Sequence, residues 1–184
     1  MPAERVLLVA LFAVYLSLLV WIVLWKLEVP FIGTGATRTI KLVPFLSTMD
    51  AGPSAPSEVA ANILIFVPFG LYLGMLKPTW PVWTSACIVA GSSLLLEVIQ
   101  YVLAIGVADI TDVLANAAGG VAGVGLYRLS RRALTTQTEV VLRWVCLVGT
   151  VVALLVCVIV VASSLRYGAP MNMTPHNLPT VIAG

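Results

Sequence analysis

The sequence predicts an all-α protein, a polytopic transmembrane helical bundle with five spans, on three observations. Hydrophobic residues make up 60% of the 184 residues and charged residues only 10%, and the mean hydropathy is +1.06. The apolar residues gather into five runs of about 17–25 residues, the length that a bilayer core requires. Five polar residues, Glu97, Gln100, Asp109, Asp112 and Asn116, fall within twenty positions in and between two of these runs. This composition is typical of an integral membrane protein rather than a soluble domain.

The predicted spans cover residues 6–25, 58–76, 82–104, 110–129 and 140–165. The first is too long for the apolar part of a signal peptide and lacks small cleavage-site residues after it, so we expect an uncleaved helix. In the second, Pro68 removes one backbone hydrogen bond and predicts a kink. In the fourth, Gly119 and Gly123 are four residues apart and predict a surface that another helix approaches closely. The fifth is the most hydrophobic.

The longest connection, residues 26–57, contains prolines and glycines that argue against a regular helix throughout. Its apolar middle, residues 39–46, predicts a segment that lies in the membrane interface or re-enters the bundle. An ordinary loop with apolar side chains is the alternative. We divide the chain into a four-span membrane domain (1–130), a cytoplasmic loop with the fifth helix (131–167) and a flexible tail (168–184).

The net charge of +2 is too small and too scattered to indicate nucleic acid binding. The basic residues instead predict topology, because Lys and Arg are enriched on the cytoplasmic side of membrane proteins. Five spans place six basic residues on one side and four on the other. We therefore expect a cytoplasmic N-terminus and a tail outside. The larger set is Arg5, Lys77, Arg128, Arg131, Arg132 and Arg143.

Polar residues of three predicted helices fall at similar depth in the outer half of the membrane, and we expect them to converge on one ligand-binding cavity open to the outer face. Those of the third span are spaced four and three residues apart, which places them on one helical stripe. An intramembrane carboxylate is costly and normally faces a protein interior or a wet cavity. The candidate ligand-binding residues are Asn62, Ser93, Glu97, Gln100, Asp109, Asp112 and Asn116.

Purely structural roles for these residues remain alternatives. Asp109 stands where a short acidic side chain caps the start of a helix, and Glu58 is an ordinary acid at a helix N-terminus. Asn62 and Asn116 suit hydrogen bonds between helices. Glu97 lies in the middle of a span and has no capping role, so it is the strongest functional candidate.

The polar set also defines a catalytic hypothesis. Glu97 and Asp112 are the candidate catalytic residues, because buried carboxyl groups suit proton transfer. Asp109 and Asp112 are the candidate ligands of a divalent metal such as Mg²⁺, which prefers oxygen ligands; no other cofactor is expected. The only histidine, His176, lies in the tail, which excludes a histidine triad or zinc site within the bundle.

At these positions the chain resembles the VanZ-like family. Three ordered motifs carry the resemblance: Asn62-x-x-x-Phe66-x-Pro68-x-Gly70, Ser93-x-x-x-Glu97-x-x-Gln100, and Asp109-x-x-Asp112-x-x-x-Asn116-x-x-Gly119. The segment Lys41-Leu-Val-Pro44-Phe45 is similar to a family element that often reads Asn-Leu-x-Pro-Phe. The resemblance covers roughly residues 1–130.

The chain departs from the family pattern at two positions. Gly106 stands where many members have an Arg three residues before the first Asp, and Lys41 replaces the usual Asn. An Arg–Asp contact of the family is therefore either absent here or supplied by Arg38 or Lys41.

The resemblance implies a small bacterial membrane protein associated with resistance to the glycopeptide antibiotic teicoplanin. Three function classes stay open. The first is an envelope protein whose pocket binds the antibiotic or a cell-wall lipid. The second is a membrane enzyme acting on a lipid-linked substrate, and the third is an accessory subunit of an envelope machine. Expected partners are membrane lipids and, through the small-residue surface, a further copy of the chain.

Overall fold

The computed structural model describes residues 2–27, 30–33, 39–46, 52–134 and 137–166. Within these ranges it contains five long helices and one pair of short strands, and it confirms the predicted all-α bundle. In chain order the elements are α1 (Pro2–Trp25), β1 (Thr39–Lys41), α2 (Pro56–Leu76), α3 (Val82–Leu103), β2 (Val107–Asp109), α4 (Ile110–Leu134) and α5 (Thr138–Arg166). The predicted flexible tail, residues 168–184, lies outside the described residues.

Four of the helices, α1, α2, α3 and α5, are long and apolar enough to cross a membrane. The protein is therefore a membrane protein. The predicted fourth span, α4, is the exception: it has 25 residues but contains Asp112, Asn116 and four glycines, which lower its apolarity. It packs most extensively against α2 and then against α3, so protein rather than lipid covers much of its polar face.

The strands β1 and β2 form a parallel pair in which Lys41 is the partner of Asp109. Sequence patterns did not predict this pair, because three residues per strand are too few for an alternating signal. The pairing fastens the predicted interfacial segment to the start of α4. Leu42 and Leu46 of this segment are 73% and 63% exposed. Whether the segment lies in the interface or re-enters the bundle stays a prediction.

The bundle has two polar ends. At one end the start of α1, the end of α2 and the start of α5 surround a cavity of about 520 Å³, and Arg143 lies 3.0 Å from Glu4 across it. Arg128 of α4 donates a hydrogen bond of 2.8 Å to the carbonyl oxygen of Trp80 at this end. The opposite end is formed by the end of α1, the start of α2, the end of α3 and the start of α4, and it carries the candidate site.

Glycines allow the backbones of α2 and α4 to touch. A Cβ atom at Gly119 would overlap the carbonyl oxygen of Ile63, and one at Gly123 would overlap that of Val67. Small residues at a helix contact let two backbones approach closely in a membrane, where lipid is as apolar as Leu and little hydrophobic force drives association. The small-residue surface expected on the fourth helix is therefore buried within the chain, against α2.

Gly123→Val tests this contact. The added side chain would push α4 away from Val67, and overpacking of this kind costs about 1–3 kcal/mol. We expect a lower melting temperature of the purified protein in detergent. Gly125→Val is the matched control, because a Cβ at Gly125 meets no atom within 4 Å. Equal melting temperatures for the two variants would contradict the close α2–α4 contact.

Candidate functional site

A polar cavity of about 340 Å³ lies between α1, α2, α3 and α4 at the end opposite the Glu4–Arg143 pair. Part of its wall is apolar, with Ile22, Val23 and Ile65 among the lining residues. The structure brings five of the seven candidate residues to this wall, together with one cation and one acid that were not on the candidate list. The polar lining residues are Lys26, Glu58, Asn62, Glu97, Gln100, Asp112 and Asn116.

Local backbone geometry explains how two of the elements present these side chains. Lys26 and Leu27 follow α1 with φ angles of 49° and 69°, so the helix ends there in the left-handed region. Ala104, which follows α3, also lies in the left-handed region, with a φ angle of 55°. The chain then turns back through β2, which returns Asp109 to the side of Glu97.

Three of the candidates form hydrogen bonds between helices. Asn116 of α4 donates a hydrogen bond of 2.8 Å to the hydroxyl oxygen of Ser93 on α3, and both side chains are buried. Gln100 of α3 donates a bond of 2.9 Å to the carbonyl oxygen of Val23 on α1. Ser93 contacts Asn116 through this hydrogen bond, and it is not among the residues that line the cavity. These bonds fit the interhelical role that the sequence left as an alternative.

Asp109 lies in a second cavity of about 380 Å³, which adjoins the first. Its wall includes Lys41, Ser54 and Gly106. The two cavities share four lining residues: Lys26, Glu58, Gln100 and Asp112. Six of the seven candidate residues therefore line one or both of these adjoining cavities.

A hydrogen-bonded ion pair fills the junction between β1, β2 and α4. Lys41 Nζ lies 3.0 Å from Asp109 Oδ2, and the two side chains are 2% and 13% exposed. Lys41 also donates to Ser54 Oγ at 2.7 Å, and Ser54 Oγ donates to Asp109 Oδ2 at 2.9 Å. Lys41 is thus the basic partner of Asp109, one of the two residues that the sequence left open for this role. Arg38, the other candidate, lies outside the described residues.

Asp109 also caps α4, as its position before the helix suggested. Its Oδ1 atom accepts a hydrogen bond of 2.8 Å from the backbone N–H of Thr111, which is the bond expected of a helix N-cap. Burial raises the pKa of Asp109, but the hydrogen bonds from Thr111, Lys41 and Ser54 outweigh it and hold the pKa below its ordinary value of 3.8. The ionised carboxylate therefore stabilises the fold above that pH, and this stabilisation is lost as the pH falls through the lowered pKa.

Glu97 has a structural contact in addition to its place on the cavity wall. Its Oε2 atom accepts a hydrogen bond of 3.0 Å from the backbone N–H of Asp109, and its side chain is 4% exposed. Glu97 therefore joins the middle of α3 to β2. The catalytic roles predicted for Glu97 and Asp112 stay predictions.

The metal role predicted for Asp109 and Asp112 also stays a prediction. Both oxygens of Asp109 have protein partners, so a divalent cation would have to compete with Lys41 Nζ for Oδ2. Among the described residues, no group of three or more His, Cys, Asp or Glu side chains is arranged to hold a metal ion.

Sequence reasoning missed two contributors to the site, Lys26 and Ser54. Lys26 was counted only as a topology signal, although a basic residue beside a cluster of acids is a candidate partner for them. Ser54 carried no signal, because its role depends on a loop that folds back onto Asp109. Glu58 behaves as expected of a helix N-terminal acid: its Oε2 atom accepts a bond of 3.3 Å from the N–H of Ala55.

The fold and the cavity together define a polytopic α-helical membrane protein with a polar site at one end. A sequence model of the VanZ/LLP1 family matches residues 12–131, which run from α1 into α4. Protein VanZ of Enterococcus faecium is 37% identical over 124 residues, which are 66% of this chain and 74% of the relative. The chain belongs to the VanZ/LLP1 family, and the resemblance seen in the motifs is confirmed. No solved structure matches the chain.

Lys41→Met tests whether the ion pair holds the site together. Removing one partner of a buried pair leaves an uncompensated charge, which costs about 3–5 kcal/mol. We expect a clear drop in melting temperature in detergent, and partial recovery in the double variant with Asp109→Asn, because Asn carries no charge.

The matched control is Arg143→Met, which breaks the exposed pair with Glu4 and should change stability little. A Lys41→Met protein as stable as the wild type would show that the pair does not hold β1 and β2 together.

Proposed function

We propose that this protein lowers the susceptibility of a bacterium to teicoplanin-type glycopeptides, through a polar cavity that binds the antibiotic or a cell-wall lipid. One observation carries the proposal. Asn62, Glu97, Asp112 and Asn116, contributed by three helices, lie on the wall of one cavity. Polar groups at membrane depth are costly, so a cluster of them points to a ligand. Membership of the family that includes Protein VanZ supports the phenotype.

We further propose that the cavity faces the outside of the cytoplasmic membrane, with the N-terminus in the cytoplasm and the tail outside. The distribution of basic residues supports this orientation. The end of the bundle opposite the cavity carries six Lys and Arg residues, three of them close together at the end of α4. Basic clusters next to membrane spans favour the cytoplasmic side. In this orientation an extracellular antibiotic or an outer-leaflet lipid reaches the cavity directly.

The rim of the cavity suits ligand entry. Lys26 and Glu58 are exposed, whereas Glu97, Gln100 and Asn116 are buried. A ligand would pass the two charged rim residues and place its polar end against the buried acceptors. The apolar part of the wall, which includes Ile22 and Ile65, would hold carbon chains. Binding sites with a largely apolar wall and a few fixed polar groups are the usual form of small-ligand pockets.

Single substitutions of the cavity wall test the resistance role. Asp112→Asn keeps the shape of the side chain and removes its charge, so we expect the protein to fold and the teicoplanin resistance that it confers to be lost. The measurement is the minimal inhibitory concentration in a susceptible bacterium that expresses each variant, with detergent melting curves as the check on folding.

Glu4→Gln is the control, because it removes a carboxylate of similar chemistry at the opposite end of the bundle. Wild-type resistance in Asp112→Asn, with the protein expressed and folded, would contradict a role of the cavity in resistance.

Labelling of single cysteines tests the orientation. On a background without Cys87, Cys146 and Cys157, Glu58→Cys at the rim should react with a membrane-impermeant maleimide in intact cells. Arg131→Cys at the opposite end should react only after permeabilisation. Both positions are exposed in the fold, so reactivity reports the side of the membrane. The reverse pattern would overturn the orientation.

A further inference from the structure

We propose that the two connected cavities bind the headgroup of a membrane lipid that carries a primary ammonium group beside a phosphate. The ammonium group lies among Glu97, Asp112 and Asn116, and the phosphate lies next to Lys26. This inference rests on the proposed function, because it names the chemical class that the same cavity recognises.

Charge is the first reason. Among the described residues, the charged side chains that line the first cavity are Glu58, Glu97, Asp112 and Lys26. This described part of the wall therefore has two more carboxyl groups than cations. Clustered carboxylates in a medium of low polarity repel one another. A ligand with a positive group offsets that repulsion, whereas a purely anionic ligand increases it.

An unpartnered acceptor is the second reason, and it is independent of the first. The side chain of Asn116 lines the first cavity and is 1% exposed. Its Nδ2 atom bonds to Ser93, but its buried Oδ1 atom has no hydrogen-bond partner among the described residues. Buried polar atoms are nearly always paired, so an orphan acceptor indicates that a donor is missing. A ligand that donates hydrogen bonds supplies it.

A primary ammonium group matches this set of acceptors. It has three N–H donors and no acceptor, and the cavity wall has the carboxyl groups of Glu97 and Asp112 and the side chain of Asn116. Hydrogen bonds between an ammonium group and a carboxylate are charge-assisted and strong. A quaternary ammonium group has the same charge but no N–H donor, so it cannot satisfy Asn116.

The basic residues of the second cavity provide the place where the phosphate binds. Within the described part of the chain, Lys41 and Lys26 are the basic residues that line it. Lys41 is paired with Asp109, so of these two residues Lys26 is the one available to bind an anion. Because Lys26 lines both cavities, a phosphate beside it stands next to an ammonium group in the first. A cavity of about 340 Å³ also has room for a headgroup, whereas a single metal ion would leave most of it empty.

Native mass spectrometry of the purified full-length protein in detergent tests the assignment. The probes are phosphatidylethanolamine, lysyl-phosphatidylglycerol and phosphatidylcholine with identical acyl chains. We expect both primary-amine lipids to bind at least about tenfold more tightly than phosphatidylcholine, which differs from phosphatidylethanolamine only by three N-methyl groups. The primary-amine lipid that binds more tightly identifies the source of the headgroup. Equal binding of all three lipids would overturn the proposal.

Single substitutions test which residues produce the preference for primary-amine lipids. Asp112→Asn should weaken the binding of both primary-amine lipids more than that of phosphatidylcholine and so reduce the preference for primary amines, whereas Lys26→Gln should weaken the binding of all three lipids through the phosphate. Asp112→Glu should retain the preference, and Glu4→Gln is the control at the other end of the bundle. Full preference in a folded Asp112→Asn protein would overturn the placement of the ammonium group. A preference that appears only with added Mg²⁺ would overturn it in favour of a metal site.

The two proposals fail in different ways. If all three lipids bind equally, the headgroup assignment falls and the resistance assay still decides the role of the cavity. If Asp112→Asn loses the lipid preference but confers full resistance, the resistance role falls and the headgroup assignment stands.

Discussion

The close contact between α2 and α4 is the constraint on which the candidate site depends. Gly119 and Gly123 let the backbone of α4 lie against the carbonyl groups of Ile63 and Val67. At this separation the first turns of the two helices bring Asn62 and Asp112 to the same wall. A side chain on either glycine would increase the separation and open the cavity. In lipid, where van der Waals packing and polar contacts drive helix association, such a contact is the main source of precise placement.

A second constraint comes from the low polarity of the surroundings, in which a buried charge must be paired. Asp109 satisfies this with Lys41 and Ser54, and it caps α4 through Thr111. Glu97 accepts the backbone N–H of Asp109, so the network runs from the middle of α3 through β2 to β1. The strands are short, but they hold a loop of the long connection over the polar end of the bundle and so form part of the wall of the second cavity.

These two constraints leave the charges of the two adjoining cavities unequally paired. The Lys41–Asp109 pair is electrically satisfied, whereas the described residues of the neighbouring wall have more carboxyl groups than cations and include the unpartnered Oδ1 atom of Asn116. A membrane protein gains no stability from such a surplus. We propose that a ligand with hydrogen-bond donors and a positive charge binds at this wall, and that the paired network beside it keeps the wall in place.

The sequence by itself determined the class of the protein, because long apolar runs need only length and composition to predict helices in a membrane. It also placed Ser93, Glu97 and Gln100 on one stripe of α3, since helical spacing is local. It identified Gly119 and Gly123 as a contact surface and allowed Lys41 as the partner of Asp109. These features follow from neighbours in the chain or from ordered motifs.

Only the tertiary structure decided which groups meet. The pairing of Lys41 with Asp109 joins residues on two elements that are separated by two helices, and the choice between Lys41 and Arg38 depends on how the long connection folds. The contact of Glu97 with the backbone of Asp109 requires the left-handed turn at Ala104. The orphan oxygen of Asn116 exists because Ser93 takes the amide nitrogen alone. Such pairings depend on packing distances between helices, which no local pattern in the sequence encodes.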